Sequence, residues 1–179
     1  MSKNNGVLAD PSRLKPFDSD KEMVRVVVET PKGSRNKFAF NSEERIFELK
    51  TVLPAGMAFP YDFGFVPSTK AADGDGIDVL VLMDEPAFTG CVLRCRIVGV
   101  IEGEHVKKKT KLRNDRIVAV EKEAHSWAEV TTIDDLGKDF LRELEDFFVN
   151  YHRLSSSEYR VLRVKGPKEA RKLVNAARQ

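Results

Sequence analysis

The chain has 179 residues, 41% hydrophobic and 32% charged, a composition that excludes a disordered polypeptide and suits one domain with a real core. A formal net charge of +2 leaves no bulk attraction to nucleic acid or to a membrane surface. No apolar run reaches the length of a transmembrane helix, and Met1 to Asp20 is polar, without the apolar centre of a signal peptide, so a cytoplasmic protein is expected.

Residues 1–20 read as an arm, and residues 21–179 as a single domain. Glu22 to Glu29 (EMVRVVVE) is a β-branched strand closed by the turn Thr30-Pro31-Lys32-Gly33. Asn36 to Phe40 and Ile46 to Lys50 form a hairpin around residues 41–44. Leu53 to Pro67, with its prolines and aromatics, reads as a loop too apolar to hang in water, one that packs on the body and shapes a pocket.

The stretch Lys70 to Asp78 (KAADGDGID) runs into the apolar strand Val79–Met83. Asp73, Asp75 and Asp78 crowd together there, with Gly74 and Gly76 letting the backbone turn. Side chains two apart on an extended chain point the same way, and such carboxylates repel unless a cation lies between them. Oxygen donors of this kind suit magnesium, manganese or calcium. Taken alone, however, a DGDG segment reads first as a plain turn. It is not an EF-hand: the bidentate glutamate is missing and a strand follows where a helix belongs.

Cys91 to Glu102 is a long strand, and Cys91 and Cys95 read as small buried thiols, without zinc-site spacing. Residues 103–114 form a basic hairpin tip before the strand Asp115–Glu121. From Thr132 to Tyr151 the period becomes helical, with Phe140, Leu141, Leu144, Phe147, Phe148 and Tyr151 on one stripe. Tyr159–Val164 is a last strand, and Gly166-Pro167 opens a helix with Ala170, Leu173, Val174 and Ala177 on one face. Together these elements predict an α+β fold, a small closed barrel with helices outside.

The segments VVVETPKGSRNKF (Val26–Phe38), FPYDFGFVPSTKAADGDGIDVLVL (Phe59–Leu82), GCVLRCRIVGVIEGE (Gly90–Glu104), NDRIVAV (Asn114–Val120) and FFVNYHRL (Phe147–Leu154) resemble, in order, the soluble family I inorganic pyrophosphatases. The resemblance implies an OB-like five-stranded barrel with two C-terminal helices. It also implies hydrolysis of pyrophosphate to two phosphates with magnesium (manganese a substitute), and a homo-oligomer, commonly a hexamer in bacteria. It places metals on Asp73, Asp78 and Asp115, with Glu29 and a further carboxylate, Glu104 or Glu102. Asp75 would take the proton from the attacking water while Lys37, Lys50, Arg116 and Tyr151 grip phosphate.

Several residues depart from the family pattern. Gly76 stands in place of proline, Ala39 of glutamate, Lys50 of arginine, Phe63 of tyrosine and His152 of lysine. At Asn114-Asp115-Arg116 the family reads aspartate, any residue, lysine. A direct overlay puts Asn114 on the metal and turns Asp115 away, and a bulge or one-residue slip would bring Asp115 back. The rival readings are a catalytically weakened relative with a binding role and an OB-like nucleic-acid module. Against the latter, the basic tip carries no aromatic residue to stack on bases.

Overall fold

Valine and isoleucine crowd a helix but fit a pleated surface, and the runs that carry them are strands. The computed structural model describes residues 10–19, 21–107, 110–154 and 157–179. Among these lie β1 (Val24–Thr30), β2 (Asn36–Asn41), β3 (Ile46–Val52), β4 (Asp62–Val66), β5 (Ile77–Leu82), β6 (Val92–Lys107), β7 (Thr110–Arg113), β8 (Arg116–Glu121) and β9 (Glu158–Lys165). Two helices, α1 (Gly137–Leu154) and α2 (Pro167–Ala176), complete the fold.

Five strands close a ring in the order β1-β4-β5-β8-β6, with β6 returning to β1. Every pairing in it is antiparallel except β5–β8. The α+β, OB-like architecture expected from the sequence is therefore present. β6 outruns the ring, and its second half carries β7 on one edge and β9 on the other. The β2–β3 hairpin stands as a separate two-stranded sheet.

Both faces of the central strands are covered, which is why β5 and β8 read as unbroken apolar runs. On one face Val79 and Val81 of β5 pack with Ile117 and Ala119 of β8 and with Ala170 and Val174 of α2. On the other, Leu80 and Leu82 join Val118, Val120, and Leu144 and Phe148 of α1. Each such side chain contributes about 1.5–3 kcal/mol by leaving water. The expected stripe of α1 is the face that packs here. Cys95 is buried and Cys91 half-buried, both as free thiols.

Three expected boundaries move. The loop assigned to Leu53–Pro67 contains β4, all five residues of it buried. A strand covered on both faces loses the alternation that would reveal it. Its Asp62, 1% exposed, accepts the amides of Lys32 (2.6 Å) and Ala87 (2.8 Å), so a buried carboxylate ties two loops to the ring. The strand expected to stop at Glu102 continues to Lys107 because β7 and β9 supply partners beyond the ring. Thr132 precedes a short 3-10 turn, Ile133–Leu136, and α1 begins only at Gly137. Asp135 closes that turn by accepting the amides of Thr131 (2.9 Å) and Thr132 (2.8 Å).

Residues 10–19 lie against the ring: Phe17 is 6% exposed and bridges to Val24, and Arg25 donates to the carbonyls of Lys15 and Phe17. The rest of the expected arm, residues 1–9 and 20, lies outside the described residues.

Candidate active site

The aspartate loop joins β4 to β5, and backbone bonds fix its shape before any ligand is considered. Thr69, buried, donates to the Val66 carbonyl (2.6 Å) and accepts the Ile77 amide (3.0 Å), pinning the loop's two ends together. Inside it the Ala71 amide donates to the Asp75 carbonyl (2.7 Å) and the Gly74 amide to the Ala71 carbonyl (3.1 Å). Gly74 has φ +98°, a conformation that a side chain would strain. The segment is thus a well-made turn, and the turn sets out its carboxylates. Asp73 accepts the Asp75 amide on Oδ1 (3.2 Å) and the Asn114 side-chain amide on Oδ2 (3.1 Å).

Glu29 from β1, Lys37 from β2, Lys50 from β3, Asp75 from the loop and Asp78 from β5 face one cavity of 340 Å³. Neighbouring carboxylates and low exposure distort its electrostatics. Burial pushes Glu29 up to about 7, although the Phe40 amide donates to its Oε1 at 2.8 Å. Burial also pushes Asp78 up to about 6, with Asp73 and Asp75 adding to the rise and Arg116 and Lys37 opposing it. For Lys37, burial works against the charge, yet Tyr151, Asp78 and Glu29 together leave the ammonium above its ordinary value. That ammonium lies 5.3 Å from the centre of the Tyr151 ring and 5.7 Å from that of Phe63.

The donor chemistry fits a hard divalent cation. All the acids involved offer oxygen, and the Asn114 Oδ1 is buried with no hydrogen-bond partner among the described residues. Among those residues no three acidic, histidine or cysteine side chains stand close enough to hold an ion alone. Magnesium tolerates this, because it keeps several waters and takes only one or two carboxylates plus substrate phosphates.

The family model described as inorganic pyrophosphatase matches residues 26–179. The chain belongs to the inorganic pyrophosphatase family. It is 35% identical over 157 residues to the inorganic pyrophosphatase of a Synechocystis strain, covering 86% of this chain and 88% of that one. It is 33% identical to that of Geobacillus stearothermophilus, covering 87% and 92%. The crystal structure of the inorganic pyrophosphatase from Thermus thermophilus superposes with a TM-score of 0.86 at 31% identity, over 94% of this chain and 97% of that one. Family I pyrophosphatases are metal-dependent.

Not every residue that the pyrophosphatase resemblance singled out reaches the cavity. Asp73 sits beside it on the loop, and Tyr151 stands over Lys37. Asp115, expected on the metal, instead accepts the Gly103 amide (3.0 Å) and the Arg113 guanidinium (2.9 Å). Asn114 meets the loop in its place, because successive residues of an extended chain face opposite ways and the compensating slip is absent. Glu104 is drawn to Lys111 (3.3 Å) on the extension of β6, and Glu102 to Arg163 (3.4 Å) and Arg113 (3.7 Å). Arg116, expected to grip phosphate, is 2% exposed and does not line the cavity.

Ser12, Thr69 and Gln179 do line it, and no local pattern could have found them. The Gln179 amide donates to the Ser68 carbonyl (3.0 Å), and the Ser68 amide donates to the Ser12 carbonyl (2.8 Å), contacts that only the folded chain creates. The departures at Ala39 and Phe63 are cavity-wall residues, so the changes fall on the site itself.

Proposed function

We infer that this chain hydrolyses inorganic pyrophosphate to two orthophosphates in a reaction that depends on divalent metal, with magnesium as the metal and manganese as a substitute. The observation that carries the reading is the meeting of Glu29, Asp75 and Asp78 with Lys37 and Lys50 around one small polar cavity. Membership of the pyrophosphatase family supports it. Among the described residues no helix is long and apolar enough to cross a membrane.

Asp73 and Asp78 would hold metal, with Glu29 in the same cavity and the Asn114 side-chain oxygen Oδ1 as a neutral donor. A bound dication offsets the charge of the phosphates and acidifies water. Asp75 lines the cavity from an exposed turn, placed to accept the proton of the attacking water. Lys37 and Lys50 supply positive charge to the same cavity, where they hold phosphate oxygens as the leaving group gathers charge. Tyr151 backs Lys37 and keeps its ammonium aimed inward.

Purified protein should release phosphate from pyrophosphate with magnesium. Asp75→Asn should lower kcat by roughly 10²–10⁴-fold, the usual contribution of general base catalysis. Phosphate release no faster than in buffer alone would end this reading.

A further inference from the structure

Arg116 has a setting unlike the other cations of the site. Its guanidinium carbon lies 4.0 Å from the centre of the Phe148 ring and 4.1 Å from that of Tyr159, in the corner made by two rings whose centres are 6.0 Å apart. One arm of the fork, Nη2, is 2.9 Å from His152 Nε2. A guanidinium can only donate, so His152 Nε2 accepts, and the imidazole proton must sit on Nδ1. The His152 ring is itself stacked on Tyr159, 5.2 Å between centres and 16° from parallel. Arg116 is also the register partner of Asp78 across the parallel β5–β8 pair, with its Nε 4.0 Å from Asp78 Oδ2. It contributes nothing to the cavity wall.

We propose that Arg116 is a positioning residue that acts through Asp78, and that His152 holds it in place by accepting from its guanidinium. Two aromatic rings and one imidazole fix the fork, and Nε lies at ion-pair distance from Asp78 without a hydrogen bond, Nε and Nη1 both being buried with no hydrogen-bond partner among the described residues. This makes His152 a specific acceptor and not merely a filler beside Tyr151. The proposal rests on the reading of Asp78 as a metal ligand given above.

The test compares His152→Phe with His152→Gln. Phenylalanine keeps a ring to stack on Tyr159 but removes the acceptor, whereas glutamine loses the ring and offers an oxygen to Arg116. Manganese affinity without pyrophosphate, read by calorimetry, should weaken about tenfold in His152→Phe, at the lower end of what loss of a partner to a metal ligand costs. His152→Gln should recover most of it. In steady-state assays at saturating magnesium, His152→Phe should lower kcat with KM for pyrophosphate unchanged.

Manganese binding by His152→Phe equal to that of the unaltered chain would overturn the proposal, as would a raised KM with kcat kept, the mark of a phosphate contact. A glutamine variant no better than the phenylalanine one would also overturn it. An unaltered chain that binds manganese but does not turn over pyrophosphate would end the activity reading alone, because the manganese comparison still decides the role of His152. An unaltered chain that binds no manganese would end both.

Discussion

Asn114 donates from its side-chain nitrogen to Asp73 Oδ2 at 3.1 Å, joining the link between β7 and β8 to the loop that carries the acids. The bond consumes one carboxylate oxygen and leaves Asn114 Oδ1 buried without a partner among the described residues. Asn114→Asp would exchange that bond for two facing carboxylates. Without metal, stability should fall by about 0.5–1.5 kcal/mol, the net contribution of one exposed hydrogen bond, and more of it should be regained on adding magnesium than in the unaltered chain. Thermal unfolding in EDTA and in magnesium measures both shifts. A variant as stable as the parent in EDTA would contradict the expectation.

Glu29 makes stability depend on pH in a direction opposite to most acids. Its pKa in the fold is raised to about 7, mainly by burial, so the unfolded chain loses its proton first as pH rises from about 4.5. Stability is therefore lost over the window from about 4.5 to about 7 and then levels off. Glu29→Gln, which can still accept the Phe40 amide, should stabilise the metal-free protein at pH 8 and do so much less at pH 4. Urea unfolding in EDTA at the two pH values is the measurement, and an equal gain at both would refute it.

Gly103 should not tolerate a side chain. A Cβ there would meet the Tyr159 hydroxyl oxygen at 2.1 Å and the ring carbon that bears it at 2.4 Å. Tyr159 is 2% exposed and forms one wall of the Arg116 corner, so it cannot swing aside freely. Gly103→Ala should cost about 1–3 kcal/mol, in the range for overpacking a filled core. Urea denaturation with the midpoint unmoved would show that Tyr159 yields more easily than its surroundings imply.

Lys37 balances the acids of the cavity that it lines. Lys37→Met keeps most of the aliphatic length against Phe63 and Tyr151 and removes the charge. Loss of one charge-assisted contact, about 1.5–3 kcal/mol, should raise KM for pyrophosphate by roughly 10–100-fold. A KM that stays put while only kcat falls would assign Lys37 to the chemical step instead.

Much of the fold was legible along the chain. The β-branched runs of β1, β5, β6 and β8 and the stripe from Phe140 to Tyr151 follow from local preference and periodicity, and both survive folding. β4 was not legible: Val66 packs on one face of the closed sheet and Phe63 on the other, so the pattern showed apolarity without alternation. The helix boundary at Gly137 was equally hidden, because Thr132 and Asp135 make a capping pattern that a 3-10 turn can use as well as an α-helix.

The order of residues alone determined that acids would cluster at Asp73, Asp75 and Asp78 on a glycine-rich turn, since spacing and turn chemistry are local. Only the folded chain decided which partners meet them. The pairing of β5 with β8 brings Arg116 opposite Asp78, and the alternation of an extended chain gives the loop Asn114 while Asp115 goes to Gly103 and Arg113. Those choices depend on register between strands far apart in the chain, where one residue more or less turns a side chain to the other face.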